Sequence, residues 1–333
     1  MWRIRIHSSD GSPSPSDRTE FVLGGYFGFG NAGDEMISRA VRGDAPGRAW
    51  RTLGVDAPRW NPFSLARLFR RSAALVYGGG ELFQTRTSFR SILYYAVLPF
   101  LARACGARFL AYGMGLDPDL SGPALSLAVR TLDRAERVWF RDEASLELYR
   151  RAGGRAAASV SPDPVWAWAP PEPAASSTAL RRILWIPRRP VRRERLEALA
   201  SRAGGAPGFL LLHPSEDERE FGGLPGLEDR RAPEELPALI GSYDAVVSMR
   251  YHGLVLGALA GRPVVALAAH GKVAGLAGEL ECPVLGLDAS AAQVSAALAA
   301  ASDRRGRIAA RVAELHAAAR RGLDELRGTL EGT

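Results

Sequence analysis

The chain has 333 residues, 47% of them apolar and 24% charged, with a formal net charge of +7. That length exceeds one ordinary core and suits two domains, and the composition excludes a disordered or fibrous protein. The basic excess is arginine scattered among acids along helices such as 192–202 and 304–327. It lacks the one-faced stripe with aromatics that a nucleic-acid binder needs, and it suits an anionic small substrate.

Cys105 and Cys282 lie far apart, so neither a disulfide framework nor a Cys-based zinc site is expected, and no other metal or cofactor motif stands out. Neither end carries an export signal, and the longest apolar run, Ile92–Leu101, is half a bilayer span. The expectation is a cytoplasmic protein with at most a peripheral contact at the inner face of the membrane.

Residues 1–19, rich in Ser, Pro and Asp, are expected to be a disordered leader. Order is expected from Glu20-Phe-Val-Leu-Gly, a short buried strand, followed by Gly25-Tyr-Phe-Gly-Phe-Gly-Asn-Ala-Gly-Asp-Glu and a helix from Glu35 to Val41. Strand, glycine turn and helix together aim backbone N–H groups at a ligand. Asp34 at that helix start reads either as an N-cap or as an acceptor, or base, for sugar hydroxyls. Tyr26 and Asn31 suit sugar binding or turn shaping.

A strand over 73–77 ends in Gly78-Gly79-Gly80, with Gln84, Thr87 and Ser88 before a helix over 91–105. Glycines there let a ligand or another backbone approach closely. A strand from Arg108 and a helix over 121–134 follow. Val138-Trp-Phe then hands on Arg141-Asp142, a structural pair or an anion grip. Asp163-Pro164 closes this half, and residues 170–180 read as a linker.

The second half restarts at Arg182-Ile-Leu-Trp-Ile, a strand leading to Arg188 and Arg189. A helix over 194–202 and a strand over 208–212 ending in His213 come next, then a helix over 234–241. A strand over 245–247 runs into Arg250, Tyr251 and His252, a helix covers 254–260, and a strand over 264–267 delivers His270 and Lys272. The three- and four-residue apolar steps from Arg307 to Leu330 predict a packing helix. Alternating strands and helices predict two Rossmann-like α/β domains, over 20–169 and 181–333, facing across a cleft as in B-type glycosyltransferases. Ligands bind at the carboxyl ends of such strands.

The glycine loop 25–35, Gly78-Gly-Gly with Gln84, Arg141-Asp142-x-x-Ser145, Asp163-Pro, and Met249-Arg-Tyr-His252 through Lys272-Val resemble the polysaccharide pyruvyl transferase family, in order from about Phe21 to Leu285. They look most like the branch acting on bacterial cell-wall polymers that anchor surface-layer proteins. The resemblance implies transfer of an enolpyruvyl unit from phosphoenolpyruvate onto two hydroxyls of one sugar, giving a cyclic ketal and phosphate. It implies that Arg141, His252 and Lys272 grip phosphoenolpyruvate; the chemistry of a doubly anionic enol donor then suits His252 as general acid or base, with Arg250 and Arg189 as lesser cations. Arg250 also reads as a buried ion-pair partner. Tyr26, Asn31, Gly33, Asp34, Gly79, Gly80 and Gln84 are expected on the acceptor side, with a glycan, lipid-linked N-acetylmannosamine-type acceptor. Glu81 and His270-Gly271 depart from the family pattern. A nucleotide-sugar glycosyltransferase of the same architecture and a non-catalytic glycan-binding relative are the alternatives.

Overall fold

The computed structural model describes residues 18, 20–43, 49–84, 89–169, 180–268 and 271–332. The expected leader apart from Arg18, residues 170–179 of the expected linker, Thr87, Ser88 and His270 lie outside them. Short Val-, Leu-, Ile- and Ala-rich runs bounded by glycine or proline become strands, since a strand covered on both faces is apolar throughout. The strands of the first half are β1 (Glu20–Gly24), β2 (Ala49–Thr52), β3 (Ser72–Tyr77), β4 (Gly80–Phe83), β5 (Arg108–Leu116), β6 (Val138–Phe140) and β7 (Ala158–Val160). They make one parallel sheet in the order β2-β1-β3-β5-β6-β7, with β4 beside the end of β5. The second half holds β8 (Arg182–Ile186), β9 (Ala206–Phe209), β10 (Ala245–Ser248), β11 (Val264–Leu267) and β12 (Val284–Leu285), parallel in the order β12-β11-β10-β8-β9.

Helices α1 (Ala32–Arg42), α2 (Pro62–Arg71), α3 (Phe89–Ala104), α4 (Gly122–Leu132) and α5 (Glu143–Arg151) serve the first sheet. Helices α6 (Arg193–Arg202), α7 (Pro214–Phe221), α8 (Leu236–Gly241), α9 (Tyr251–Leu259), α10 (Gly271–Glu279) and α11 (Ala291–Asp303) serve the second, and α12 (Arg305–Glu331) closes the chain. The α/β class and the paired Rossmann-like sheets agree with the sequence reading.

Strand register sets the site. Gly24 pairs with Tyr77, and the Gly78 amide donates to the Gly24 carbonyl at 3.0 Å, so the two glycine turns of the first sheet lie side by side. In the second sheet Ser248 pairs with both Ile186 and Ala266, so the chain leaves β8, β10 and β11 at one rim.

Each half has an apolar cluster of its own, and a third, shared by both, runs through Leu23, Ile37, Trp166, Leu254, Leu256, Leu315 and Leu323. The expected packing helix, α12, contributes to it by lying across both halves. It packs on α9, while Tyr112 donates to the Ala319 carbonyl at 3.3 Å and the Trp139 indole donates to Glu325 at 3.0 Å. Gly322 permits this approach, because a Cβ there would stand 2.0 Å from Ser161 Oγ.

Candidate functional site

The first wall of the cleft grows from the β1–α1 turn. Gly28 and Gly30 take φ of 81° and 77°, a left-handed region that other residues rarely enter. They turn the chain so that α1 starts at Ala32, three residues before the expected start. The N-cap is therefore Asn31, whose Oδ1 accepts from the Gly33 amide at 3.2 Å, and not Asp34. Asp34 is instead held by the Asn31 Nδ2 amide at 2.6 Å, inside the cleft.

β4, read from sequence only as a glycine turn, carries Glu81 into the cleft with its side chain 3% exposed. Glu81 accepts a hydrogen bond from Arg141 Nη2 and, through its other oxygen, one from Lys272 Nζ at 3.0 Å. Arg141 follows β6, gives its Nε to Asp142 at 3.1 Å, and lies over the Tyr251 ring at 5.0 Å. Asp142 in turn caps α5 by accepting from the Ser145 amide at 2.7 Å. The Arg-Asp pair is thus a structural brace, and its arginine is also part of the cleft wall.

The second wall comes from the ends of β8, β10 and β11. α9 begins at Tyr251, so His252 sits in its first turn rather than in a preceding loop. The imidazole reaches across to the first half. Its Nε2 is 3.5 Å from Asp163 Oδ2, a contact long for a hydrogen bond, and Asp163 is fully buried. The ring is also seated against α1, where a Cβ on Gly33 would fall 1.9 Å from His252 Nδ1. The Ala32 amide donates to the Leu212 carbonyl at 2.8 Å beside it, a backbone bond between the two halves.

Burial and partners divide the ionisable groups. Burial raises Asp34 to about 6, with His252 and Lys272 pulling the other way. Burial alone would also raise Glu81, but Arg141 and Lys272 outweigh it and hold the carboxyl at about 2. Burial lowers Lys272, with Glu81 opposing, and burial against the positive Arg250 lowers His213 while Glu216 opposes. Asp163 stays below the usual carboxylate range because His252 and the Val165 amide outweigh its burial. One cleft therefore holds carboxyl groups whose environments push them in opposite directions, the arrangement that separates acid from base roles.

Of the residues predicted from sequence, Tyr26, Asn31, Asp34, Gly80, Gln84, Arg141, Arg250, His252 and Lys272 all line this cleft. Gly33 and Gly79 do not. Gly33 makes room for the His252 ring, and Gly79, at φ 99°, packs against Gly113 and Ile37. Arg189 is a further correction: it is exposed, and its neighbour Arg188 faces the cleft, because β8 ends at Ile186 and the next side chains alternate. Arg250 is buried with its Nε on Asp217 at 3.0 Å and its Nη2 on Glu216 at 3.1 Å, which makes it a brace for α7. Sequence reasoning missed Glu81, Asp163 and Arg188 as site residues. Asp163 had a readable signal in the Asp-Pro pair, and Glu81 had one as the acid after three glycines.

Two parallel Rossmann-like sheets that bring their strand ends to one cleft define the class, an α/β protein of the B-type glycosyltransferase fold. Residues 31–271 match the family model of polysaccharide pyruvyl transferases, and the chain belongs to that family. It is accordingly a transferase of polysaccharide biosynthesis. No curated protein matches it. Among solved structures it resembles the Anabaena HepE protein in complex with UDP and glucose, at 15% identity and a TM-score of 0.56 over 95% of this chain and 100% of that one. It also resembles the Neisseria meningitidis UDP-GlcNAc 2-epimerase bound to UDP-GlcNAc, at 9% identity and a TM-score of 0.59 over 94% and 99%. These likenesses describe the fold.

Proposed function

We propose that this protein transfers the pyruvyl unit of phosphoenolpyruvate onto two hydroxyls of one sugar of a cell-wall polymer precursor, an N-acetylmannosamine-type residue. The product is a cyclic ketal, formed with release of phosphate. The observation that carries this reading is the meeting of His252, Asp34 and Lys272 in one cleft, with Asp34 sensing the charge of both others.

The acceptor sugar lies on the Tyr26, Asn31 and Gln84 side, where Asp34 takes the proton of the attacking hydroxyl. Its raised pKa makes it a stronger base than an ordinary carboxylate, yet one still ionised near neutrality. His252, steadied by Asp163, delivers a proton to the methylene carbon of phosphoenolpyruvate while the hydroxyl oxygen bonds to its central carbon. The C–O bond to phosphate then breaks, the second hydroxyl oxygen bonds to the same carbon, and its proton leaves with the phosphate. Lys272 and Arg188 face the departing charge. Arg141 has two nitrogens engaged by Glu81 and Asp142, so it acts mainly by positioning Glu81, which in turn aims Lys272.

The test is phosphate release from phosphoenolpyruvate with a panel of sugar acceptors. Acceptor-dependent release that falls by at least about a thousandfold in His252→Ala is expected. Absence of acceptor-dependent release across the panel, or full activity of His252→Ala, overturns the reading.

A further inference from the structure

Between residues 57 and 107 the charge balance departs from the rest of the chain. Its described cations are Arg59, Arg67, Arg70, Arg71, Arg90 and Arg103, and its single carboxylate, Glu81, is buried in the cleft. The same stretch holds Trp60 at 71% exposure, Phe63 at 86%, Phe89 at 55%, Leu93 at 48%, Val97 at 50% and Phe100 at 62%. Single exposed apolar residues are ordinary on a soluble protein; a contiguous face of them marks a contact surface.

The face gathers on one side the arginines and aromatics that looked scattered along the sequence, and it is built on two helices. α3 buries Ile92, Tyr95, Ala96 and Pro99 on its inner side, so the helical period gathers Phe89, Leu93, Val97 and Phe100 into one stripe on the outer side. The same period sets Arg90 on one margin of the stripe and Arg103 on the other. α2 packs alongside and turns Phe63, Arg67, Arg70 and Arg71 outward, while Leu65, Leu68 and Phe69 are buried. Trp60 lies with its ring 4.5 Å from that of Tyr94 and so joins the approach to α2 with α3. The face is continuous with the mouth of the cleft: Arg59 lies over the Phe29 ring at 4.5 Å, Phe29 stacks on Tyr26 at 4.3 Å, and Tyr26 lines the cleft.

We propose that the α2–α3 face docks on an anionic phospholipid bilayer. The aromatic and aliphatic side chains would enter the boundary between headgroups and acyl chains, and the arginines would meet the lipid phosphates. Charge decides between occupants. A second copy of the chain would bring Arg67, Arg70, Arg71 and Arg90 against their own counterparts, with no exposed acid in the stretch to answer them. An anionic surface answers all of them, and it places the Tyr26 rim of the cleft where a sugar carried on a lipid arrives. Docking itself does not depend on the reaction proposed above.

The experiment is sedimentation of the full chain with vesicles of phosphatidylcholine alone, or with about one third phosphatidylglycerol. Binding to the anionic vesicles only, weakened by added salt, is expected. Leu93→Glu with Phe100→Glu should lower that binding by at least about tenfold. Arg67→Gln with Arg70→Gln and Arg71→Gln should lower it too, and thermal melting serves as the folding control for both variants. Three results overturn the proposal: no binding to anionic vesicles, equal binding by the Leu93→Glu/Phe100→Glu variant, or a dimer in light scattering that this variant turns into monomer.

Discussion

Asp34 is held by Asn31 and desolvated at the first turn of α1, and its carboxyl titrates at about 6 instead of near 3.8. The sign of the consequence follows from that direction. Between those two values the folded chain binds a proton that the unfolded chain has released, so stability contributed here is fully present at low pH and is lost as pH rises through 6. Asp34→Asn should therefore melt at a higher temperature than the parent above pH 6, with the gain vanishing below about pH 4. Its transferase activity should fall, and the acid limb of the parent's kcat/KM profile near pH 6 should disappear, as read from phosphate release. A variant that is less active but more stable is what a group placed for chemistry rather than packing yields. A parent profile flat through pH 6 would remove Asp34 from the base role. His252, Lys272 and Asp34 were legible in the sequence because each lies just past a strand or a glycine turn. Glu81 was legible only as a departure, since nothing in the chain order says that β4 will carry it between Arg141 and Lys272.

The elements were readable where apolar runs are bounded by glycine or proline, as at β1, β3, β8 and β11. They were misread where capping depends on side-chain geometry, so α1 and α9 each start about one turn early. The stretch holding β2 and α2 was passed over. β2 is a partly exposed edge strand with little apolar content, although Asn61-Pro62 is an ordinary N-cap followed by a first-turn proline. The long C-terminal helix was read as amphipathic, but which surface it covers is a tertiary matter. Its contact with the first sheet depends on Gly322, whose missing Cβ admits Ser161 Oγ and the Tyr112 hydroxyl. Gly322→Leu should lower stability by about 1–3 kcal/mol as overpacking, measured by denaturant unfolding, with Gly328→Leu on an open face as the control. Equal effects at the two positions would mean that α12 does not seat there in solution.

At the scale of the whole molecule, two sheets, a shared core and a strapping helix form one body, and the cleft between the sheets gathers Asp34, Glu81, Arg141, Arg188, Arg250 and Lys272. A ligand bridging the two walls binds only the folded state, so it should raise the melting temperature by mass action, worth about 2.7 kcal/mol at a hundredfold excess over Kd. Phosphoenolpyruvate is expected to give such a shift, and Lys272→Ala to lose it. A shift with UDP-glucose and none with phosphoenolpyruvate would favour a nucleotide-sugar donor instead. The two-domain plan was readable from alternation alone; that α12 ties the halves together was not.

The close seating of the His252 ring on Gly33, beside the Ala32–Leu212 backbone bond, makes the junction of the two halves part of the proposed site. The groups that would move protons belong to different sheets, and they are brought into range only when the halves meet. A side chain added at Gly33 would push the ring away from Asp34 and Asp163 together, so one missing Cβ sets the spacing of all three groups.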